Sequence, residues 1–534
     1  MAQYWDLPRE SETPTDYADR LGHWYLASVV DNRRKSLGQY LTPVAVARFM
    51  ADLCQPAHQP ALRILDPAAG AGVLLCALCE SLAERSDGSR RIHLDAYEVD
   101  AGLSRVLESC LGYLARWLQP YDTHLTFRVH TDDFVLANAG VLNETPALFD
   151  LYREVQAGFD LIIANPPYFK LPKSDVRAQA AAKVVHGQPN IYALFMAISA
   201  CLLKPSGKLV FITPRSYASG PYFRLFREFF FSKIRPEVVH LFGSRRDAFS
   251  RDEILQENVI LVGQREDEWV AKPAQQHVRI SSSFGTRDLG SATYRYILAT
   301  KVIDWTTRDR VFRMPITDED EAVTKVVRTW SKRLSSYGLE VSTGPVVAFR
   351  AKSFICDEKR QDGDSAPLLW MQNVQPMRVM WPIRQRGKGQ YIDIAAESLP
   401  LLLPSRNYVL IRRFSAKEQT RRLTAAPLIG DSLHSPMVGI ENHLNYVHRP
   451  GGSLTSEEAY GLAVLFNSSL LDTYLRTYNG NTQVSAAEMR EMPLPAMEDI
   501  REIGRRAMSL RDPGEIVDSL IADVLQLAVL PTVA

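Results

Sequence analysis

The chain reads as an α/β protein built on a doubly wound, mainly parallel sheet, with a second, mixed α/β domain after it. Three observations predict this. Short apolar runs alternate with amphipathic stretches through the first half, a glycine-rich turn joins the first run to the stretch after it, and the alternation stops near Asp267. A length of 534 residues exceeds one ordinary core, so two domains are expected, at 1–268 and 269–534.

The apolar runs lie at 62–65, 92–97, 125–129, 161–164, 209–213, 238–242 and 259–262. Runs of this length bounded by turn residues are strands buried on both faces. Between several of them, 44–53, 73–82, 103–118 and 192–203 carry the spacing of helices with one apolar face. Alternation of this kind gives parallel strands with helical crossovers, and ligands bind at the carboxyl ends of such strands. Beyond Asp267 the runs become irregular and loops rich in Arg, Lys, Gln and Pro appear, while 497–530 turns helical again.

Composition narrows the class. Hydrophobic content of 46% and charged content of 23% belong to a globular protein. With a formal net charge of +1, any polyanion must be met by a local basic face. The six cysteines form no framework: Cys76 and Cys79 fall in the apolar pattern of one helix, and no ligand cluster accompanies them. Scattered cysteines point to a reducing compartment, the polar start resembles no signal peptide, and no apolar stretch is long enough to span a bilayer. A cytoplasmic protein without membrane or metal is expected.

The chemistry-bearing residues sit at strand ends. Asn165-Pro166-Pro167-Tyr168 ends the 161–164 run. Two prolines fix their own φ, remove two donors and hold the preceding residues extended. That leaves the Asn165 side-chain oxygen and a backbone carbonyl free to accept, beside an aromatic face, which suits the exocyclic amine of a nucleobase. Upstream, Asp66-Pro67-Ala68-Ala69-Gly70-Ala71-Gly72 opens a helix after the first strand. It matches neither the dinucleotide fingerprint nor a P-loop, and its glycines admit a close backbone approach. Glu98 ends the second strand, placed to accept from ribose hydroxyls, or else is a solvated strand-end acid. Asp133-Phe134 follows the third strand, offering an acceptor and a ring to an adenine. Earliest comes Gly38-Gln39-Tyr40-Leu41-Thr42-Pro43, in which Thr42 as N-cap and Pro43 as first helical residue also describe an ordinary helix start.

In this order, the motifs resemble the gamma class of S-adenosylmethionine-dependent DNA adenine-N6 methyltransferases of type II restriction–modification systems. The segment Asn190-Ile191-Tyr192-Ala193-Leu194-Phe195 and the run from Leu203 to Pro214 add to the likeness, with Pro205-Ser206-Gly207 in place of the usual Pro-Gly-Gly. The resemblance spans roughly 35–265 and implies a Rossmann-like methyltransferase domain followed by a target-recognition domain for double-stranded DNA. It implies that Thr42 and Pro43 line the methionine end of the cofactor, with Asp66, Ala68, Gly70 and Gly72 beneath it. Glu98 would hold the ribose, Asp133 and Phe134 the adenine, and Phe195 would border the pocket. Asn165 and the Pro166 carbonyl would accept from the target amine within the Asn165-Pro166-Pro167-Tyr168 loop. Tyr168 would stack on a flipped adenine, and Phe249 would pack on its other face. A cognate restriction endonuclease is the implied functional counterpart.

No cysteine follows a proline, in keeping with a reaction that needs no covalent cysteine nucleophile. In the second half, Tyr408–Lys417 with Arg421 and Arg422, then Asn479, Asn481, Thr482 and Gln483, offer phosphate and base-edge contacts. Arg378, Arg384, Arg386 and Lys388 form another candidate phosphate patch. Three alternatives stay open: a methyltransferase acting on protein glutamine, one acting on RNA guanine, and a DNA-binding specificity module with an inactive methyltransferase fold.

Overall fold

The computed structural model describes residues 7–28, 41–54, 59–85, 88–142, 158–243, 257–305, 309–359, 364–383, 387–415, 419–480, 483–514 and 516–527. They form two compact units, Met1–Ile316 and Thr317–Ala534. The first unit begins with α1 (Pro14–Ser28) and α2 (Val44–Leu53), then alternates β1 (Ala61–Asp66), α3 (Val73–Glu84), β2 (Arg90–Tyr97), α4 (Ala101–Trp117), β3 (Thr123–His130) and α5 (Phe134–Asn138). It continues through β4 (Phe159–Ala164), α6 (Ile191–Leu202), β5 (Leu203–Pro214), α7 (Arg224–Lys233), β6 (Ile234–Phe242), β7 (Asn258–Arg265), β8 (His277–Ser283) and β9 (Thr293–Leu298).

Each of the seven apolar runs is the heart of a strand. They join one sheet in the order β3-β2-β1-β4-β5-β7-β6-β8-β9. The first five strands are mutually parallel. β7 runs antiparallel to both neighbours, β6 and β8 are parallel, and β9 is antiparallel to β8. The period-2 geometry of a strand sends Ile162 and Ala164 into a core shared with Phe195, Phe211 and Phe230, and Leu161 and Ile163 into one shared with Met50, Leu78 and Leu111. Helices on both faces explain why these runs are apolar throughout rather than alternating.

The first unit extends past the expected boundary at 268/269. β8 and β9 belong to the same sheet, and the division falls after Ile316. β9 carries a weak apolar signal because it lies at the sheet's edge, where Tyr294 and Tyr296 are exposed and Ile297 alone is fully buried. β8 is paired on both sides, and its signal is weak because it buries Ser281 and Ser283 against His240 of β6. α1 also lacked a clear signal, yet it buries Tyr17, Ala18 and Leu21, and the Thr15 N–H donates to Glu80 of α3 at 2.7 Å.

The second unit holds an antiparallel sheet of Glu340–Thr343, Leu444–His448, Tyr408–Arg412 and Ala425–Leu428. A second, five-stranded sheet lies in the same unit. Among its helices, Met497–Met508 and Val517–Leu525 fall in the stretch expected to be helical. Cys76 and Cys79 are buried in α3 as expected.

The turn from β1 into α3 requires glycine. Gly70 and Gly72 have φ of 57° and 89°, and a Cβ on Gly72 would fall 2.8 Å from Leu107 Cδ1 of α4. Gly72→Ala should therefore destabilise the protein by about 1–3 kcal/mol, read as a lower urea midpoint at unchanged slope.

Candidate active site

The strand order reverses at β1, whose neighbours are β2 on one side and β4 on the other, so the loops leaving β1 and β4 diverge and open a crevice. A cavity of about 260 Å³ lies there. Its walls include Ala68 and Gly70 from the turn after β1, Glu98 after β2, Asp133 and Phe134 after β3, Asn165 and Pro167 after β4, and Phe195 on α6. Residues predicted from five separate stretches of chain thus meet at one cavity.

Its apolar wall is built from packed rings. Phe134 is 2% exposed, lies edge-on to Tyr97 at 5.2 Å and stands 5.1 Å from Phe195. Its polar groups are held in place. A carboxylate oxygen of Glu98 accepts from the Asp100 N–H at 2.8 Å, and Asp133 caps α5 by accepting from Leu136 N at 3.0 Å. Asp66 lies at the root of the turn, fully buried. Its Oδ1 accepts from Ala68 N at 3.0 Å, while its Oδ2 has no hydrogen-bond partner among the described residues. Burial pushes its carboxyl from 3.8 up to about 8.

The loop after β4 is braced by three side-chain hydrogen bonds. Asn165 Nδ2 donates to Thr42 Oγ1 at 3.1 Å, and the Tyr168 hydroxyl lies 2.5 Å from Asn165 Oδ1 and 2.9 Å from the Ile212 carbonyl of β5. A hydroxyl carries one proton, so Tyr168 serves one of those two acceptors at a time. Thr42 and Tyr168 together orient the carboxamide, nitrogen toward Thr42 and oxygen toward Tyr168. Burial holds the Tyr168 phenol well above its ordinary value, so it remains a donor. The ring sits edge-on to Tyr192 at 6.3 Å.

Several expectations need correction. The cap of α2 is Pro43, one residue later than expected, and no side chain caps it. The Thr42 hydroxyl is thereby released from capping and accepts from Asn165 instead. Thr42, Pro43, Asp66, Gly72, Pro166 and Tyr168 are not among the residues that line this cavity, although Thr42 and Tyr168 touch it through their hydrogen bonds to Asn165. Gly38, Gln39, Tyr40 and Phe249 lie outside the described residues. Conversely, Tyr97, Phe169 and Arg177 line the cavity without having been anticipated. Phe169 was adjacent to a motif, whereas Arg177 has no local signal: its guanidinium pairs with Asp175 at 2.8 Å and lies 5.6 Å over the Phe169 ring.

The expected nucleic-acid contacts of the second unit are largely internal. Arg422 is 1% exposed, and its guanidinium donates to the backbone and side-chain oxygens of Asn479, each at 2.9 Å. Asn479 in turn donates to Glu488 at 2.7 Å. Arg421 pairs with Asp518 at 2.7 Å, Arg412 donates to the Val374 carbonyl at 2.7 Å, and Tyr408–Ile411 is a buried strand. Arg413 donates to the Asn442 carbonyl, Arg378 pairs with Asp512, and Lys388 donates to Gln372. Arg384, Arg386, Ala416, Lys417, Asn481 and Thr482 lie outside the described residues.

Comparison with known proteins assigns the class. Residues 124–249 match the Eco57I restriction-modification methylase family. The type II methyltransferase M.BsuBI of Bacillus subtilis is 31% identical over 495 residues, covering 92% of this chain and 94% of that relative. M.PstI of Providencia stuartii is 29% identical over 506 residues, with the same two coverages of 92% and 94%. Among solved structures, a DrdV–DNA complex shares 12% identity at a TM-score of 0.49, over 93% of this chain and 59% of that one. The relatives and the family match make this chain a DNA methyltransferase of the restriction–modification kind. The chain belongs to the type II methyltransferase family.

The buried Asp66 carboxyl makes stability depend on pH in a defined direction. In the unfolded chain it ionises at its ordinary 3.8, in the folded protein only near 8. Folding therefore takes up a proton between those values, and the associated stability, present at acid pH, is lost as pH rises toward 8. Asp66→Asn has no such proton to take up. The stability of the ligand-free variant relative to wild type should rise across that interval, as followed by thermal denaturation at successive pH values.

Proposed function

We propose that this protein transfers a methyl group from S-adenosyl-L-methionine to N6 of an adenine flipped out of duplex DNA, protecting host DNA in the cytoplasm from a cognate restriction endonuclease. The observation that carries this reading is Asn165: its carboxamide is held in a fixed orientation by Thr42 and Tyr168, at the wall of the same cavity that Glu98, Asp133 and Phe134 line.

The donor set fits the cofactor. Glu98 would take the ribose hydroxyls, while Asp133 and Phe134 would take the adenine amine and ring. Asp66, with an oxygen buried and unpartnered, offers an acceptor for the α-ammonium beside the turn of Ala68 and Gly70. The bound cofactor supplies an electrophilic sulfonium methyl.

The remaining work falls to the loop after β4. The lone pair of an aromatic amine is delocalised into the ring, so N6 is a poor nucleophile. Acceptance of its two hydrogens by Asn165 Oδ1 and the Pro166 carbonyl favours a pyramidal nitrogen and stabilises the positive charge that develops on it. Asn165 Oδ1 must first be vacated, and the hydrogen bonds of Tyr168 provide for this. Its single proton turns to the Ile212 carbonyl, freeing the amide oxygen at no loss of pairing. With the amine so held, N6 would take the methyl that the cofactor supplies as its bond to sulfur is given up, and the surplus N6 proton would pass to solvent. A base within the stack cannot reach this loop, so the nucleotide must be extruded, and the Tyr168 ring would replace its lost stacking.

Asn165→Ala should lower kcat by about 10²–10³-fold while leaving S-adenosylmethionine affinity near wild type in calorimetry. Tyr168→Phe keeps the ring but strands the amide oxygen, and a smaller fall, about 10-fold, is expected for loss of one hydrogen bond. The decisive measurement is long-read sequencing of DNA from a methylation-free host that expresses the protein. N6-methyladenine at one short recurring motif is the expected result. N4-methylcytosine would replace the target base, and an unmodified genome would overturn the reading.

A further inference from the structure

In the second unit most described arginines serve the fold, as Arg406, Arg412, Arg413, Arg421, Arg422 and Arg449 do through carbonyl and carboxylate partners. The turn after Val346 is different. Phe349 is 76% exposed, the one phenylalanine, tyrosine or tryptophan so placed among the described residues of this unit. The Arg350 guanidinium lies 5.4 Å from its ring centroid. Arg350 and, two residues on, Lys352 are exposed, and neither has an acidic partner among the described residues.

This turn is rigidly presented. Val346 is fully buried, its N–H donates to the Ile440 carbonyl at 3.0 Å, and its own carbonyl accepts from Asn442 N at 2.9 Å. The N–H groups of Arg350 and Ala351 both donate to the Val347 carbonyl, and Ala351 is buried. An apolar ring held out in water by a fixed backbone has paid its ordering cost before any partner arrives. Two unneutralised cations beside it favour a polyanion over an apolar protein surface.

We infer that the Phe349–Lys352 turn is a DNA-docking element, in which Phe349 stacks against an unstacked base or wedges into a base step while Arg350 and Lys352 contact phosphates. An aromatic ring with flanking cations supplies both kinds of contact that duplex distortion requires. The inference rests on the proposed function in taking duplex DNA as substrate. It adds the place and manner of docking.

The experiment uses the full chain and a fluorescent duplex carrying the motif found by sequencing, with binding followed by anisotropy across a salt series. Phe349→Ala should weaken binding by about 10-fold, the loss of roughly one stacking contact, and Phe349→Trp should restore it. The double variant Arg350→Ala/Lys352→Ala should reduce the slope of log K against log salt by about 1.8, at ~0.9 per phosphate. All variants should keep wild-type S-adenosylmethionine affinity, since none touches the cavity. Wild-type affinity and slope in these variants, with the wild-type enzyme methylating DNA, would overturn the docking assignment alone. A Phe349→Ala variant that binds DNA normally but loses self-association in light scattering would reassign the turn to contact between copies of the chain. Failure of the wild-type protein to bind or methylate duplex DNA would overturn this inference and the proposed function together.

Discussion

Parallel pairing of β1 with β4 sets the two loops at the centre of the candidate site. The register Ile64↔Leu161 and Leu65↔Ile162 ends the two strands at nearly the same level, so the turn from Asp66 and the loop from Asn165 emerge side by side. One has two left-handed glycines and the other two consecutive prolines. Glycine lets backbone approach a ligand closely; proline withdraws donors and leaves acceptors exposed. Neighbouring strand ends thus acquire opposite hydrogen-bonding characters, one suited to cradling a ligand and the other to receiving an amine. The Tyr168 hydroxyl ties the second loop to β5 through Ile212, and Asn165 ties it to Thr42. The geometry is consequently fixed from both sides.

Such a site is legible in sequence to the degree that its residues sit at strand ends. Ala68, Gly70, Glu98, Asp133, Phe134 and Asn165 each follow an apolar run within a few positions, and all line the cavity. Thr42 was legible as a residue of the site but not in its role: a Thr-Pro pair signals a cap, whereas the helix starts one residue later and the hydroxyl turns to Asn165. Arg177 was illegible because the fold alone brings it to the cavity, from a short helix far from any strand end. β8 and β9 were illegible for another reason. Neither is a plain apolar run: β9, at the edge, exposes Tyr294 and Tyr296, whereas β8, paired on both sides, buries serines that hydrogen-bond His240.

The arginines of the second unit show where composition misleads. A basic, aromatic segment in a domain expected to meet DNA invites the reading that its cations face phosphate. Burial decides otherwise. A guanidinium as enclosed as that of Arg422 must find acceptors within the fold. It finds them in Asn479, while Asp472 accepts from the backbone N–H groups of Arg422 and Leu423. The network ties the segment after the Tyr408–Arg412 strand to the helices near the end of the chain. Removing Arg422 would thus harm DNA binding only by way of harming the fold.

The same accounting separates cations that hold structure from cations available to a ligand. Glu458, fully buried, binds Arg449 at 3.1 Å and Arg501 at 2.8 Å; burial raises its carboxyl, but Arg449, the Thr455 backbone N–H and Arg501 together hold it below its ordinary range. Charges paired in this way carry little field outward. A chain with a formal net charge of +1 can still present a locally positive surface when its carboxylates are spent on internal arginines. Among the described residues Arg350 and Lys352 are left over by that pairing, on a turn whose backbone is already ordered. For a protein of nearly neutral charge, the cations without partners indicate an anionic surface better than the density of basic residues along the chain does.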